Sequence, residues 1–254
     1  MSRRQLLSTS ASMMVGIALA ISPLGQAQSK PGGQTRFHAR LTRVKPDMVN
    51  EWLALQKNEV NPALKKAGIS RRTLSAVILG NDYQFLSISP LDSFSPLDGP
   101  DPFTRALGAE GADRLRAKLG RCVVSSRRYI FYREENLSQP PEKPAAVTVS
   151  SRRRIAPGKR PAWESFYKTE ILPLFKKAKA EGKIAGFSVT RRSLGALSNE
   201  VVITTYLNKF ADLDAGNTLA RVVGQEAADK IIAKDQFSTA VETVVRRRIA
   251  DISY

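Results

Sequence analysis

The chain has 254 residues, 40 of them Lys or Arg and 23 Asp or Glu, and carries a formal charge of +17 with one His and one Cys. A hydrophobic share of 42% is too high for a disordered polycation and leaves room for one large domain or two of about 100 to 150 residues. Cys122 alone excludes a disulfide framework, the same count excludes clustered Cys/His metal sites, and any imidazole-dependent catalysis must run through His38.

Residues 1–27 read as a targeting segment: Arg3 and Arg4, a mostly apolar run from Ser12 to Ile21, then Pro23 and the small residues Gly25 and Ala27 around a cleavage point. The run is too short for a membrane-spanning helix, which needs about 20 residues. Ser2-Arg3-Arg4-Gln5-Leu6-Leu7 resembles the bacterial twin-arginine signal, departing from it in Leu6 where Phe is commonest and Ser8 where Lys is common. An ordinary secretory signal with two arginines is the alternative. Both predict a periplasmic or secreted protein with no transmembrane segment in the mature chain, whose charge after loss of Arg3 and Arg4 is +15. Residues 28–34 form a polar, Gly- and Pro-bearing linker.

The remainder is one unit written twice. At an offset of 111, Arg43, Pro46, Trp52, Glu59, Pro62 and Lys65 match Arg154, Pro157, Trp163, Glu170, Pro173 and Lys176. After an indel the offset becomes 116, and Leu91, Phe94, Arg105, Gly108, Glu110, Asp113 and Lys118 match Leu207, Phe210, Arg221, Gly224, Glu226, Asp229 and Lys234. The halves are 35–135 and 146–254, joined by a Pro-rich linker at 136–145.

In each half the elements follow one order. Phe37, Ala39 and Leu41 alternate with His38, Arg40 and Thr42, the period of a half-buried strand. A helix follows from Pro46 or Pro157, with Trp52, Leu55, Val60 and Leu64, or Trp163, Phe166, Ile171 and Phe175, on its apolar stripe. Pro62 and Pro173 should kink or divide it. A hairpin is predicted over Thr73 to Ser89 and over Gly186 to Leu207, then a second helix over Pro102 to Leu119 or Thr218 to Lys234. A long strand closes each half, Arg121 to Arg133 or Phe237 to Ala250.

This β-α-β-β-α-β order is ferredoxin-like, and it leaves each antiparallel sheet with one face in need of a partner. The fold class predicted is α+β: two tandem repeats whose sheets pack together as an intramolecular α+β barrel. The strand followed by Arg43-Val44-Lys45-Pro46, and the helix with Trp52 and Glu59-x-x-Pro62-x-x-Lys65, with their second copies, carry a resemblance to the dimeric α+β barrel superfamily. Within it they resemble the NIPSNAP-like and antibiotic-biosynthesis-monooxygenase-like families.

The resemblance implies either a ligand-binding barrel or an enzyme of the monooxygenase kind, and some members bind haem through a histidine. Haem is set aside because the ligating histidine would be expected on a later element than the strand bearing His38; no cofactor and no metal are predicted. The weak catalytic candidates are His38, Glu59 and Glu170. Trp52 and Trp163 are helix anchors or stacking surfaces, and Arg40, Arg153 and Arg247 are candidate ligand contacts. Because neighbours on a strand face opposite ways, Arg153 and Arg247 are expected to be partly buried, which demands a carboxylate or a bound anion. Glu110 with Asp113, and Glu226 with Asp229, share a helix face but supply too few oxygen ligands for a metal.

Export and the lack of a stacking aromatic motif argue against nucleic acid despite the basic charge. The leading expectation is an exported, soluble binding protein for an anionic or amphipathic small molecule or envelope component. The alternative is a cofactor-independent monooxygenase- or isomerase-like enzyme acting on a small organic substrate. Whether the protein is a monomer or a homo-oligomer stays open, since tandem copies make an obligate dimer unnecessary.

Overall fold

A computed structural model describes residues 35–254; the leader and the linker at 28–34 lie outside the described residues. The alternating start of the first repeat forms β1 (Arg36–Val44), and the hairpin forms β2 (Thr73–Leu79) and β3 (Gln84–Pro90). The closing strand is β4 (Val123–Arg133), and the second half repeats the set as β5 (Val147–Ile155), β6 (Gly186–Leu194), β7 (Glu200–Leu207) and β8 (Ser238–Arg248). All pairings are antiparallel in the order β1-β3-β2-β8-β5-β7-β6-β4, which closes into a barrel. Each half contributes a ferredoxin-like four-strand sheet, and the halves join edge to edge through β2 with β8 and β4 with β6. Closure removes the free edges that an open sheet would present.

The helices cover the outside. Helix α1 (Val49–Leu55) passes through a π-helical turn, Gln56–Val60, into α2 (Asn61–Lys66). Its copy runs from α4 (Arg160–Phe166) through Tyr167–Ile171 into α5 (Leu172–Ala180). The expected break at Pro62 and Pro173 is therefore a widened turn just before each proline, which accommodates the missing N–H without ending the helix. The second helix α3 (Pro102–Cys122) is interrupted at Gly108, φ 72°; its copy is split at Gly224, φ 82°, into α6 (Ala220–Val223) and α7 (Gln225–Ala233). The matched glycines mark a left-handed turn that other residues adopt only with strain.

Between helices and sheet the halves are packed differently. The second half holds 17 buried residues around Trp163, Tyr167, Phe175 and Phe187, with Trp163 stacked on Tyr167 at 5.4 Å. The first is split into two smaller clusters, 7 residues around Trp52 and Phe85 at 4.6 Å and 4 around Val60 and Leu115. The tails also cross over. After β8 the chain bonds Tyr254 to Arg72 in both directions (2.7 and 2.8 Å), and after β4 it bonds Gln139 to Phe187 in both directions (2.9 Å each). The Pro-rich linker thus runs as a strap, with Leu137 buried at 1% exposure.

Candidate functional site

The sheet registers show where the copies diverge. His38 faces Ile130 across β4 as Val149 faces Val245 across β8, and Arg40 faces Arg128 as Ser151 faces Thr243. Side chains at 38, 40 and 42 share a face, and Thr42 sits opposite Phe85, which packs on Trp52; this face looks toward the helices. In the second half the same face carries Val149, Ser151 and Arg153, the arginine being neutralised by Asp235 at 2.8 Å. At five matched places the first half is more polar or charged: His38 for Val149, Arg40 for Ser151, Gln56 for Tyr167, Asn61 for Leu172 and Arg72 for Phe187.

Arg72, 5% exposed, donates to Asn61 Oδ1 at 2.7 Å and Gln56 Oε1 at 2.6 Å, while Asn61 donates to the Ile252 carbonyl at 2.7 Å. This satisfied network locks the C-terminal tail under the helix. Arg40 donates from Nε to Ser126 Oγ at 2.9 Å, and neither Arg40 nor Arg128 has an ion-pair partner among the described residues. Burial lowers the pKa of Arg72 to about 10, with the Arg40 charge adding to the effect. His38 is half-buried and held below its ordinary 6.5 first by burial, then by the charges of Arg128 and Arg40. The imidazole is neutral at pH 7, and the guanidiniums beside it have donors free for an anion. Gly195, φ 78°, brings the β6-β7 turn of the other half against the Arg128 carbonyl, where a Cβ would collide.

The other candidates lie apart from this cluster. Trp52 and Trp163 are 4% and 1% exposed and anchor their helices. Glu59 binds Lys118 at 2.9 Å, and its copy Glu170 binds Lys234 at 2.8 Å, so both carboxylates clamp the first helix of their half to the second. Arg153 is partly buried, as expected, and paired with Asp235 at 2.8 Å. Arg247 is exposed over the Phe210 ring at 4.7 Å, contrary to the expected partial burial; the buried member of the triplet is Arg246, because that residue faces the barrel lumen. Asp113 binds Arg116 and Glu226 binds Lys230 on exposed helix faces. Arg128, Gln56, Asn61 and Arg72 escaped the sequence reading, although aligning the copies and asking where polarity is unmatched would have found most of them. Among the described residues no helix is long and apolar enough to cross a membrane.

No protein-family profile and no curated protein matches the sequence. Solved structures do. A candidate monooxygenase from Fusobacterium nucleatum subsp. nucleatum ATCC 25586 aligns over 86% of this chain and 94% of its own, with a TM-score of 0.58 and 7% identity. The fold is the dimeric α+β barrel, built here within one chain. An anthrone oxidase-like protein aligns over 86% of this chain and 92% of its own, with a TM-score of 0.56 and 11% identity.

The expectation of no cofactor, with haem set aside, does not stand. Solved structures similar to this barrel include a candidate chlorite dismutase, at 13% identity over 85% of this chain and 96% of that one with a TM-score of 0.52, and, more distantly, a haem-binding protein from Thermus thermophilus. In the first-half cluster His38 offers a neutral nitrogen, with the cations Arg40 and Arg128 beside it.

Proposed function

We propose that this barrel is an enzyme of the oxygenase or isomerase class that removes a proton from a small acidic organic molecule, a carbon acid or phenol, at the first-half cluster. The observation that carries this reading is the unduplicated polarity of that layer. Architecture needs its residues in both copies, as Trp52/Trp163 and the Glu59–Lys118 and Glu170–Lys234 clamps illustrate, whereas His38, Arg40 and Arg128 occur in one. A passive binding protein has no need of an imidazole held neutral between cations.

In the proposed step His38 takes the proton, and the C–H or O–H electron pair stays on the substrate as an enolate or phenolate. Arg40 and Arg128 lie where that developing oxyanion gains most. Their charges lower the basicity of free His38, and the forming anion offsets them, so the imidazole becomes a better base as the transfer proceeds. A haem bound there would supply oxygen and one-electron chemistry; the side chains bind, orient and hold the proton. With anthrone as probe, the reaction is anthrone plus O2 giving anthraquinone plus water: two hydrogens leave C10, a C10=O bond forms, and one oxygen atom departs as water.

The test is oxygen uptake on adding anthrone. Wild-type protein should consume O2 with a rate that rises with pH through a value below 6.5, the His38→Ala variant should be slower by about 10² or more, and Arg40→Ala should move the acid limb upward. Equal rates for wild type and His38→Ala would overturn the reading. Because the chain holds a single imidazole, proton NMR of tag-free protein reads this group directly. Its lowered native pKa also has a stability consequence. Below 6.5 the unfolded chain binds the proton more readily, so His38 subtracts stability as pH falls toward its native pKa and nothing above 6.5.

A further inference from the structure

A second unduplicated feature lies on the opposite face of the sheet, inside the barrel. In the lumen Arg152 pairs with Glu200 at 2.8 Å and Glu242 at 3.1 Å, and Arg192 pairs with Glu200 at 3.1 Å. Arg246 and Arg248, two residues apart on β8, share that lumen-facing side. Arg246 is 9% exposed, and the Nε atoms of both arginines are buried without a hydrogen-bond partner. Neither takes part in an ion pair among the described residues, because the two lumen carboxylates are engaged by other arginines.

The first half shows what is missing. Arg133 donates its backbone N–H to the Thr35 carbonyl as Arg248 does to that of Ala146, so these arginines are copies. Arg133 has its own carboxylate: Nε donates to Glu135 at 2.9 and 3.0 Å. Glu135 opens the 3-10 turn Glu135–Leu137, and the matching turn, Ala250–Ile252, has Ala250 in its place. The strand partner of Arg246 has changed as well, since its counterpart Phe131 stacks on Phe37 at 5.2 Å, whereas Arg246 faces Thr148. The second copy thus keeps one arginine, adds another and lacks the acid. A buried guanidinium without a counter-charge is costly and is relieved by an anion with well-placed oxygens.

We infer that the lumen end of β8 is a binding site for a small oxyanion, a carboxylate or an inorganic oxyanion, held by Arg246 and Arg248 in place of the carboxylate that Glu135 supplies to the first half. Burial lowers the Arg246 pKa to about 10, with Arg192 lowering it further while Glu242 and Tyr129 oppose; the side chain stays charged at pH 7 and lacks only its partner. The site is separate from the His38 cluster, on the other side of the sheet, and does not rest on the proposed enzymatic reading.

Sodium sulfate is the probe, compared with sodium chloride at equal ionic strength by thermal unfolding and calorimetry. Wild-type protein should bind one sulfate and gain in Tm. Ala250→Glu, at an exposed position, restores the first-half arrangement; it should raise Tm without sulfate and weaken sulfate binding at least tenfold. Arg248→Gln should weaken it similarly. Undiminished sulfate binding by Ala250→Glu, or an unchanged Tm for that variant, overturns the inference. So does a His38 NMR signal that sulfate moves equally in Ala250→Glu and wild type, since that would put the anion at the other site.

Discussion

Replacing Glu200 by alanine is expected to lower the free energy of unfolding by about 3 to 5 kcal/mol. Glu200 is 2% exposed, and its carboxylate serves Arg152 and Arg192, whose side chains are 22% and 21% exposed, together with the half-exposed Arg154. Taking away the acid leaves two shielded guanidiniums with one remaining carboxylate, Glu242, whose contact is to Arg152. The cost is the desolvation of unpaired charge rather than the worth of the bonds, and Arg154, open to water, adds little to it. Urea unfolding measures the effect, with Glu226→Ala as control. The Glu226 pair with Lys230 has side chains 84% and 73% exposed and should change stability by no more than about 0.5 kcal/mol. A Glu200→Ala loss below about 1 kcal/mol would mean that the lumen is wet enough to screen its charges.

Trp163→Ala should cost about 3 to 5 kcal/mol, and Trp52→Ala distinctly less, although the two occupy the same place in their repeats. Trp163 stacks on Tyr167 inside a cluster of 17 buried residues. Tyr167 is itself fully enclosed, and burial alone raises its phenol pKa far above 10. Neighbours packed that tightly cannot collapse into the space an indole leaves. Trp52 belongs to a cluster of 7 and lies next to the polar layer of Gln56, Asn61 and Arg72, where water can enter the gap. Equal costs for the two variants would contradict the packing difference between the halves. Because these are the only two tryptophans, Trp163→Phe and Trp52→Phe leave single fluorescent reporters for each half.

Most of the architecture was legible because it depends on local pattern. Alternation marked β1, turn residues marked the β2-β3 hairpin, and the matched tryptophans and prolines marked the helices. The repeat then supplied the partner sheet, since two half-covered ferredoxin-like sheets can close on each other. The matched Gly108 and Gly224 are the kind of detail that periodicity obscures. Within an apparently continuous helix they impose a left-handed residue, and the backbone turns there.

The candidate site was legible only in part. His38 and Arg40 were found through scarcity and alternation, but Arg128 reaches them from a strand about 90 residues away and Arg72 from another. Glu59 looked like a site carboxylate until Lys118, on a separate helix, took it up. A period of two states which side chains share a face of a strand and leaves open which face meets the helices and which the lumen. That ambiguity exchanged Arg246 for Arg247.

By itself, then, the sequence determined the duplication, the βαββαβ order and the scarcity of imidazole and thiol, because these are properties of residue type and spacing. Only the tertiary structure decided which arginines keep a counter-charge. Pairing of β7 with β5 and β6 places Arg152 and Arg192 on Glu200 and leaves Arg246 and Arg248, on β8, without an acid. Charge neutralisation in a low-dielectric interior depends on distances of a few ångströms between residues far apart in the chain, and those distances exist only once the strands have paired.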